Sequence, residues 1–410
     1  MIKNLNITSF RLNQNNTIYF QFFFSLSLAL LIFFLSLNNE IWANFWGSIK
    51  IPPNVVPFSD FKAHLFFYNC DKIGIDISTQ ECHLIPYGNG KISTHPKIWV
   101  HLFDILNLQN IYIYNFSILF LLTFYFYLIS RLFVEFDTTS NRVALSILFF
   151  STTNFILLER LATDLIIFII TYGILNLRSK IFQASLIIIG FILKYFPIFL
   201  AIIFVEKKKF LFLFSITIVL FSYFFYLNNI VSVNSNLVEM ALPIAYGSRT
   251  MLKAFYHLSM EYDYFLNDAN ISLYRNLIML FFLIYTLVLF IVGYLTEKKK
   301  NALSIFEKYF LAGASIYVGT FIIGANVDYR LIFLVFTIPF IMNLRNKKMK
   351  YLFIFCYFFS FNSFLFLAGP ALSKIFFIKS FFIFSCKFLI LSLLSFLIGS
   401  QMKKIEFFKI

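Results

Sequence analysis

The chain has 410 residues, of which 60% are hydrophobic and only 13% charged, with a mean hydropathy of +0.81. That composition excludes a soluble globular protein and implies an all-α, polytopic membrane bundle in a single domain, 1–410. The formal net charge of +15 does not imply nucleic acid, because the Lys and Arg residues sit in short loops between apolar runs, the pattern of positively charged inner loops.

The run Tyr19–Leu37 is too long for the core of a cleavable signal and has no clean small-x-small site after it, so it reads as a first span over about 18–38. Lys3 and Arg11 put the N-terminus inside. The loop 39–110 has balanced charge and reads as outside. It holds Cys70 and Cys82, for which a disulfide and two free thiols both fit the sequence. Asp60 lies in Ser59-Asp60-Phe61-Lys62-Ala63-His64, a stretch with loose helical periodicity suited to the interface. Ser59 or Asp60 reads there as an ordinary helix cap, Asp60 also as a functional carboxylate. The loop ends in Thr94-His95-Pro96-Lys97, a turn whose His95 fits either a solvated histidine or a substrate contact.

Spans two to four fall at about 112–134, 143–158 and 161–177. Between the last two, Glu159-Arg160-Leu161-Ala162-Thr163-Asp164 carries three charges. Glu159 with Arg160, or Arg160 with Asp164 at i,i+4, makes a structural pair; alternatively Arg160 points into a cavity towards an anion. Over 181–205 a single helix would place Lys194 at mid-bilayer and Glu206-Lys207-Lys208-Lys209 outside. Two half-helices broken at Lys194-Tyr195-Phe196-Pro197 avoid both problems. A tip of that kind must sit in protein or water, as lipid cannot satisfy its backbone.

Further spans follow at about 210–230, 276–296, 308–323, 331–344, 351–368 and 380–398, with a second large outer loop at 231–275. The count reaches about twelve full or half crossings, with both termini cytoplasmic. Before 331–344 stands Gly324-Ala325-Asn326-Val327-Asp328-Tyr329-Arg330, in which Tyr329 also fits an interfacial aromatic and Arg330 a headgroup snorkel. On this threading Asp60, Glu159, Arg160, Lys194, Arg249, Asp328 and Arg330 all reach the outer face. A charge at bilayer depth costs roughly 2.5–3.5 kcal/mol, so each is a functional candidate. No Walker loop, dinucleotide fingerprint, His-Glu-x-x-His or nucleophile elbow is present.

The order of three short motifs resembles the GT-C class of integral-membrane glycosyltransferases, and is most similar to glycosyltransferase family 87, the polyprenyl-phosphate-sugar-dependent, mannosyltransferase-like proteins. The motifs are Ser59-Asp60-Phe61 after span one, Thr94-His95-Pro96 at the loop's end, and Lys194-Tyr195-Phe196-Pro197 closing an apolar run. Asp328-Tyr329-Arg330-Leu331, before a span containing Pro339, is similar to late family segments. The likeness covers about 40–340. It departs where the family often has Gly-Asn or Gly-Gln, here Glu159–Asp164.

The resemblance implies a hexosyltransferase of the bacterial cell inner (plasma) membrane, working at its outer face. A sugar, hexose or pentose, would pass with inversion from a polyprenyl-phosphate donor to a glycolipid or glycan acceptor. Asp60 would be the general base. Lys194, Arg330, Arg160 and Arg249 would hold the donor phosphate. His95, Glu159, Asp328 and Tyr329 would line the substrate. No metal or cofactor is required. An envelope oligosaccharide-repeat polymerase or ligase, resting on Arg249 and His257, and a lipid-linked-sugar flippase remain the alternatives.

Overall fold

The computed structural model describes residues 7–54, 56–77, 80–84, 96–228, 245–248, 250, 268–296, 303–324, 326–367 and 374–404. They are almost entirely helical. The helices are α1 (Ile7–Ser36), α2 (Asn39–Ser48), α3 (Ser59–Lys72), α4 (Ile98–Ile105), α5 (Ile111–Glu135), α6 (Thr139–Phe149), α7 (Thr152–Arg160), α8 (Asp164–Asn176), α9 (Lys180–Leu193) and α10 (Lys208–Asn228). After them come α11 (Asp268–Thr296), α12 (Ile305–Ile323), α13 (Ile338–Met342), α14 (Lys347–Phe361), α15 (Ser363–Leu367) and α16 (Lys374–Lys404). Two long 3-10 segments, Phe196–Phe204 and Asp328–Thr337, interrupt the series. The described strands are a single two-residue pair, β1 (Ala245–Tyr246) antiparallel to β2 (Asn326–Val327), with Ala245 opposite Val327.

Polar caps set many of these boundaries. Asn38, Asn110, Thr138, Ser151 and Asn346 each accept a backbone N–H in the first turn of the helix that follows, and Ser304 with Glu307 forms a capping box on α12. Ser151 does so within an apolar run, so α6 and α7 meet at a bend of 53°.

Among the described residues, four helices are long and apolar enough to cross a membrane: Thr17–Ser36, Ile111–Glu135, Asn276–Thr296 and Ile378–Lys403, or five crossings if the bent α6–α7 pair is one. The protein is therefore an all-α membrane protein; of the twelve full or half crossings expected, four or five are full-length spanning helices among the described residues. The difference has a physical origin. From residue 139 to 204, and again from 328 to 342, the apolar sequence is cut into pieces too short for a core of about 30 Å. These pieces pack inside the bundle, where protein satisfies the broken backbone.

At the centre stands α12, nearly all of it buried. It can take two irregular neighbours because it offers them glycines. A Cβ on Gly319 would run into the ring of Phe199 on the first 3-10 segment, and one on Gly313 would press against Phe333 and Thr337 of the second. Helix α9 and the first 3-10 segment form a hairpin with its turn at Lys194-Tyr195, where the sequence predicts the break and a re-entrant pair of half-helices. Gly190 lets the arms close, as its Cβ would sit 3.0 Å from that of Pro197.

Candidate active site at the helix breaks

The first loop folds onto the tip of this hairpin. Trp99 of α4 donates from Nε1 to the Leu193 carbonyl (3.1 Å), satisfying a group that the end of α9 leaves open. His64 of α3 stacks on Trp99 with ring centroids 4.6 Å apart. The Cys70–Cys82 disulfide ties the end of α3 to the segment beyond it, so the bonded form is the one adopted. Helix α3 starts without a side-chain cap from Ser59 or Asp60. Phe58 takes the cap position in a left-handed conformation (φ 55°), its ring against Trp42 and its N–H donating to the Glu159 carbonyl (3.1 Å). That geometry puts Asp60 in the first helical turn.

Three interruptions of the helices then converge. Asp164 opens α8, Lys194 follows α9, Arg330 lies in the second 3-10 segment and Arg160 ends α7. The Asp164 carboxylate is shared. One oxygen accepts from Lys194 Nζ, the other from Arg330 Nε at 3.1 Å. Lys194 also donates to Thr163 Oγ1 (2.9 Å), and Arg330 reaches Asn326 and the Tyr195 hydroxyl (3.4 Å). Both cations lie over the ring of Phe196, at 5.8 and 5.4 Å. Asp164 is fully buried, whereas Arg160 and Arg330 keep part of their surface exposed.

Asp60 borders this cluster, half-buried. Burial pushes its carboxyl above the ordinary carboxylate range, and Arg160, Lys194 and the neighbouring Tyr329 hydroxyl pull it back. His64, one turn along, is driven down to about 3 by burial and by the charge of Lys194, so it stays neutral beside the lysine.

Backbone strain brackets the same place. Phe58 precedes Asp60 by two positions and Leu161 follows Arg160 directly; both bulky residues are left-handed, at φ 55° and 46°. Each costs about 1–2 kcal/mol, and such residues persist where the surroundings over-determine them, commonly at active sites.

Asp60, Arg160, Lys194, Tyr329 and Arg330 thus come together. Glu159 sits beside them but turns inward. It is fully buried, accepts from the Asn54 N–H at 2.9 Å, and lies 3.7 Å from Arg160 Nε. Asp328 is placed elsewhere. Both its oxygens meet Lys387 Nζ of α16 (2.6 and 2.7 Å), one also accepts from Ser363 (2.6 Å), and the pair is fully buried. Lys387 donates further to the Ala245 carbonyl (3.2 Å), so this pair locks β1, the second 3-10 segment and α16 together. Its chemistry is that of a structural clamp. His95 and Arg249 lie outside the described residues, as does His257.

Two participants escaped sequence reasoning. Asp164 reads locally as a partner for Arg160. Lys387 is a lone lysine inside the expected span 380–398, and its cost at that depth was the available signal. Among the described residues no three His, Cys, Asp or Glu side chains gather as a metal site. Comparison of the chain with protein-family models, with curated proteins and with solved structures returns no match.

Proposed function

We propose that the protein is an integral-membrane glycosyltransferase of GT-C type that moves a sugar from a polyprenyl-phosphate donor to a glycolipid or glycan acceptor. One observation carries the reading: a half-buried carboxylate from the first loop, Asp60, feels the charges of Arg160 and Lys194, and Arg330 joins the same cluster through Asp164, the three cations coming from separate breaks in the apolar helices. Inverting transfer asks for that pairing. Asp60 takes the proton of the acceptor hydroxyl as its oxygen bonds to the anomeric carbon. The bond from that carbon to the phosphate oxygen breaks, and the cations receive the charge developing on the departing lipid phosphate. Arg330 and Arg160 suit bidentate phosphate contact, and Lys194 acts as a point charge. The shared Asp164 holds Lys194 and Arg330 in place before the phosphate arrives.

The finer architecture belongs to the same proposal. Counting half-crossings, the bundle has about twelve, with both ends cytoplasmic and the site facing outward from the plasma membrane. The disulfide in the loop that carries Asp60 agrees with an oxidising outer side.

The test is release of polyprenyl phosphate by the purified protein in detergent, given a small panel of polyprenyl-phosphate sugars and membrane-extracted acceptors. Wild type is expected to release it, and Asp60→Asn to slow release by roughly 10²–10⁴, the range for a lost general base. Near-normal turnover in Asp60→Asn would remove Asp60 as the base. No release by wild type from any donor would count against the transferase itself.

A further inference from the structure

At the base of the hairpin, Lys180, Glu206, Lys207, Lys208, Lys209 and Phe210 line a hollow of about 540 Å³. Lys180 opens α9 and Lys194 follows its last residue, so the hollow lies about 21 Å along the helix from the candidate active site. Its one acid is already engaged: Glu206 takes Lys308 at 2.9 Å and the Leu303 N–H at 2.8 Å. Lys180 is half-buried, held over the Phe204 ring at 5.6 Å and donating to Gln183 (3.0 Å). Lys308 and Lys207 repel the charge of Lys180, and Glu206 offsets them in part. Like charges gathered in a concavity are stabilised by an anion placed among them.

We propose that this hollow binds the phosphate of an anionic lipid headgroup. A lipid is favoured over a soluble phosphate by what adjoins the site. Beyond Phe210, helix α10 presents Phe212, Leu213, Ile216, Val219 and Leu220 outward, each more than 40% exposed, a face on which acyl chains lie while the headgroup meets the lysines. Basic pockets between helices at a membrane surface have this use. The site is independent of the transferase reading.

The experiment incubates the purified full chain in detergent with dioleoyl phosphatidylglycerol or dioleoyl phosphatidylcholine and counts retained lipid by native mass spectrometry. Wild type is expected to retain phosphatidylglycerol preferentially. The Lys180→Gln/Lys207→Gln double variant should lose that preference by roughly tenfold or more. Lys347→Gln/Lys348→Gln, in a different basic cluster at the start of α14, should keep it. Lys207→Gln and Lys209→Gln, at exposed positions, serve as single variants should the double variant misfold, and each should weaken retention. Equal retention of the two lipids by wild type would overturn the proposal, as would an equal loss in the Lys347→Gln/Lys348→Gln control. An added arm with inorganic phosphate separates the sources. If phosphate alone raises the unfolding temperature and displaces phosphatidylglycerol, the ligand is soluble and the lipid assignment fails.

Discussion

Asp164 shows how a single carboxylate organises buried charge. Its two oxygens neutralise Lys194 and Arg330, which approach from elements 30 and 166 residues away in sequence. Removing it strands two cations, whereas removing Lys194 still leaves Asp164 paired with Arg330. Asp164→Asn is therefore expected to cost about 3–5 kcal/mol, the range for breaking a buried pair, and Lys194→Met distinctly less. Thermal unfolding in detergent checks the order, and equal losses would mean the carboxylate is not shared. The two cations were legible in the sequence because a charge beside an apolar run needs a reason. Their partner was not, because local spacing offered Arg160 and long-range pairing leaves no periodic trace. His64 makes a second residue-scale prediction. Its folded value is about 3 against 6.5 in the unfolded chain. Between these the unfolded state binds the extra proton, so stability is complete above about 6.5 and falls as the pH drops, by up to about 1.4 kcal/mol per unit. His64→Phe preserves an aromatic face for Trp99 and should flatten that slope. A variant as acid-sensitive as wild type would show that other groups carry it.

At the scale of elements, helices with caps and apolar cores were readable to within a few residues: span two was expected at about 112–134 and α5 runs Ile111–Glu135. The 3-10 segments were not. Phe196–Phe204, and residues 331–336 within Asp328–Thr337, are so uniformly apolar that neither a 3.6 nor a 3.0 repeat leaves a phase to read. What the sequence did show was their starts, a proline at Pro197 and charges at Asp328 and Arg330. Glycines carry the equivalent information for packing, but only once partners are known. In the α11–α16 pair, a Cβ on Gly293 would land on the Phe396 carbonyl and one on Gly399 on the Phe290 carbonyl, a reciprocal close crossing. Backbones meet this closely in membranes only across small residues. Gly293→Leu or Gly399→Leu should each prise the pair apart, at a cost of about 1–3 kcal/mol or more, and the double variant should lose less than the sum, since both break one crossing. Strict additivity would mean that the two glycines act independently.

At the scale of the whole molecule, the arms of the hairpin set the depth of the site. Helix α9 is 14 residues long and its returning 3-10 segment nine, so each reaches only about 20 Å from the lysine-rich base. On the proposed orientation, with that base at one surface of a ~30 Å core, the Lys194 tip stops about 10 Å short of the other and protein from the first loop covers it. Helices α3 and α4 occupy that position, with Trp99 on the Leu193 carbonyl. The proposed orientation puts the disulfide-bearing loop on the side opposite Lys207–Lys209. The prediction is tested with cysteines introduced at Asn69, exposed on α3, and at Lys348, exposed on α14, with Cys356 and Cys386 buried and Cys70 and Cys82 bonded. In intact cells an impermeant maleimide should label Asn69→Cys, while Lys348→Cys should react only after permeabilisation. The reverse pattern would turn the basic loops outward, against the inner-loop charge bias. It would also put Asp60, Lys194 and Arg330 on the reducing side, where a structural disulfide in the same loop is not expected, and the outward-facing transferase would fall with it.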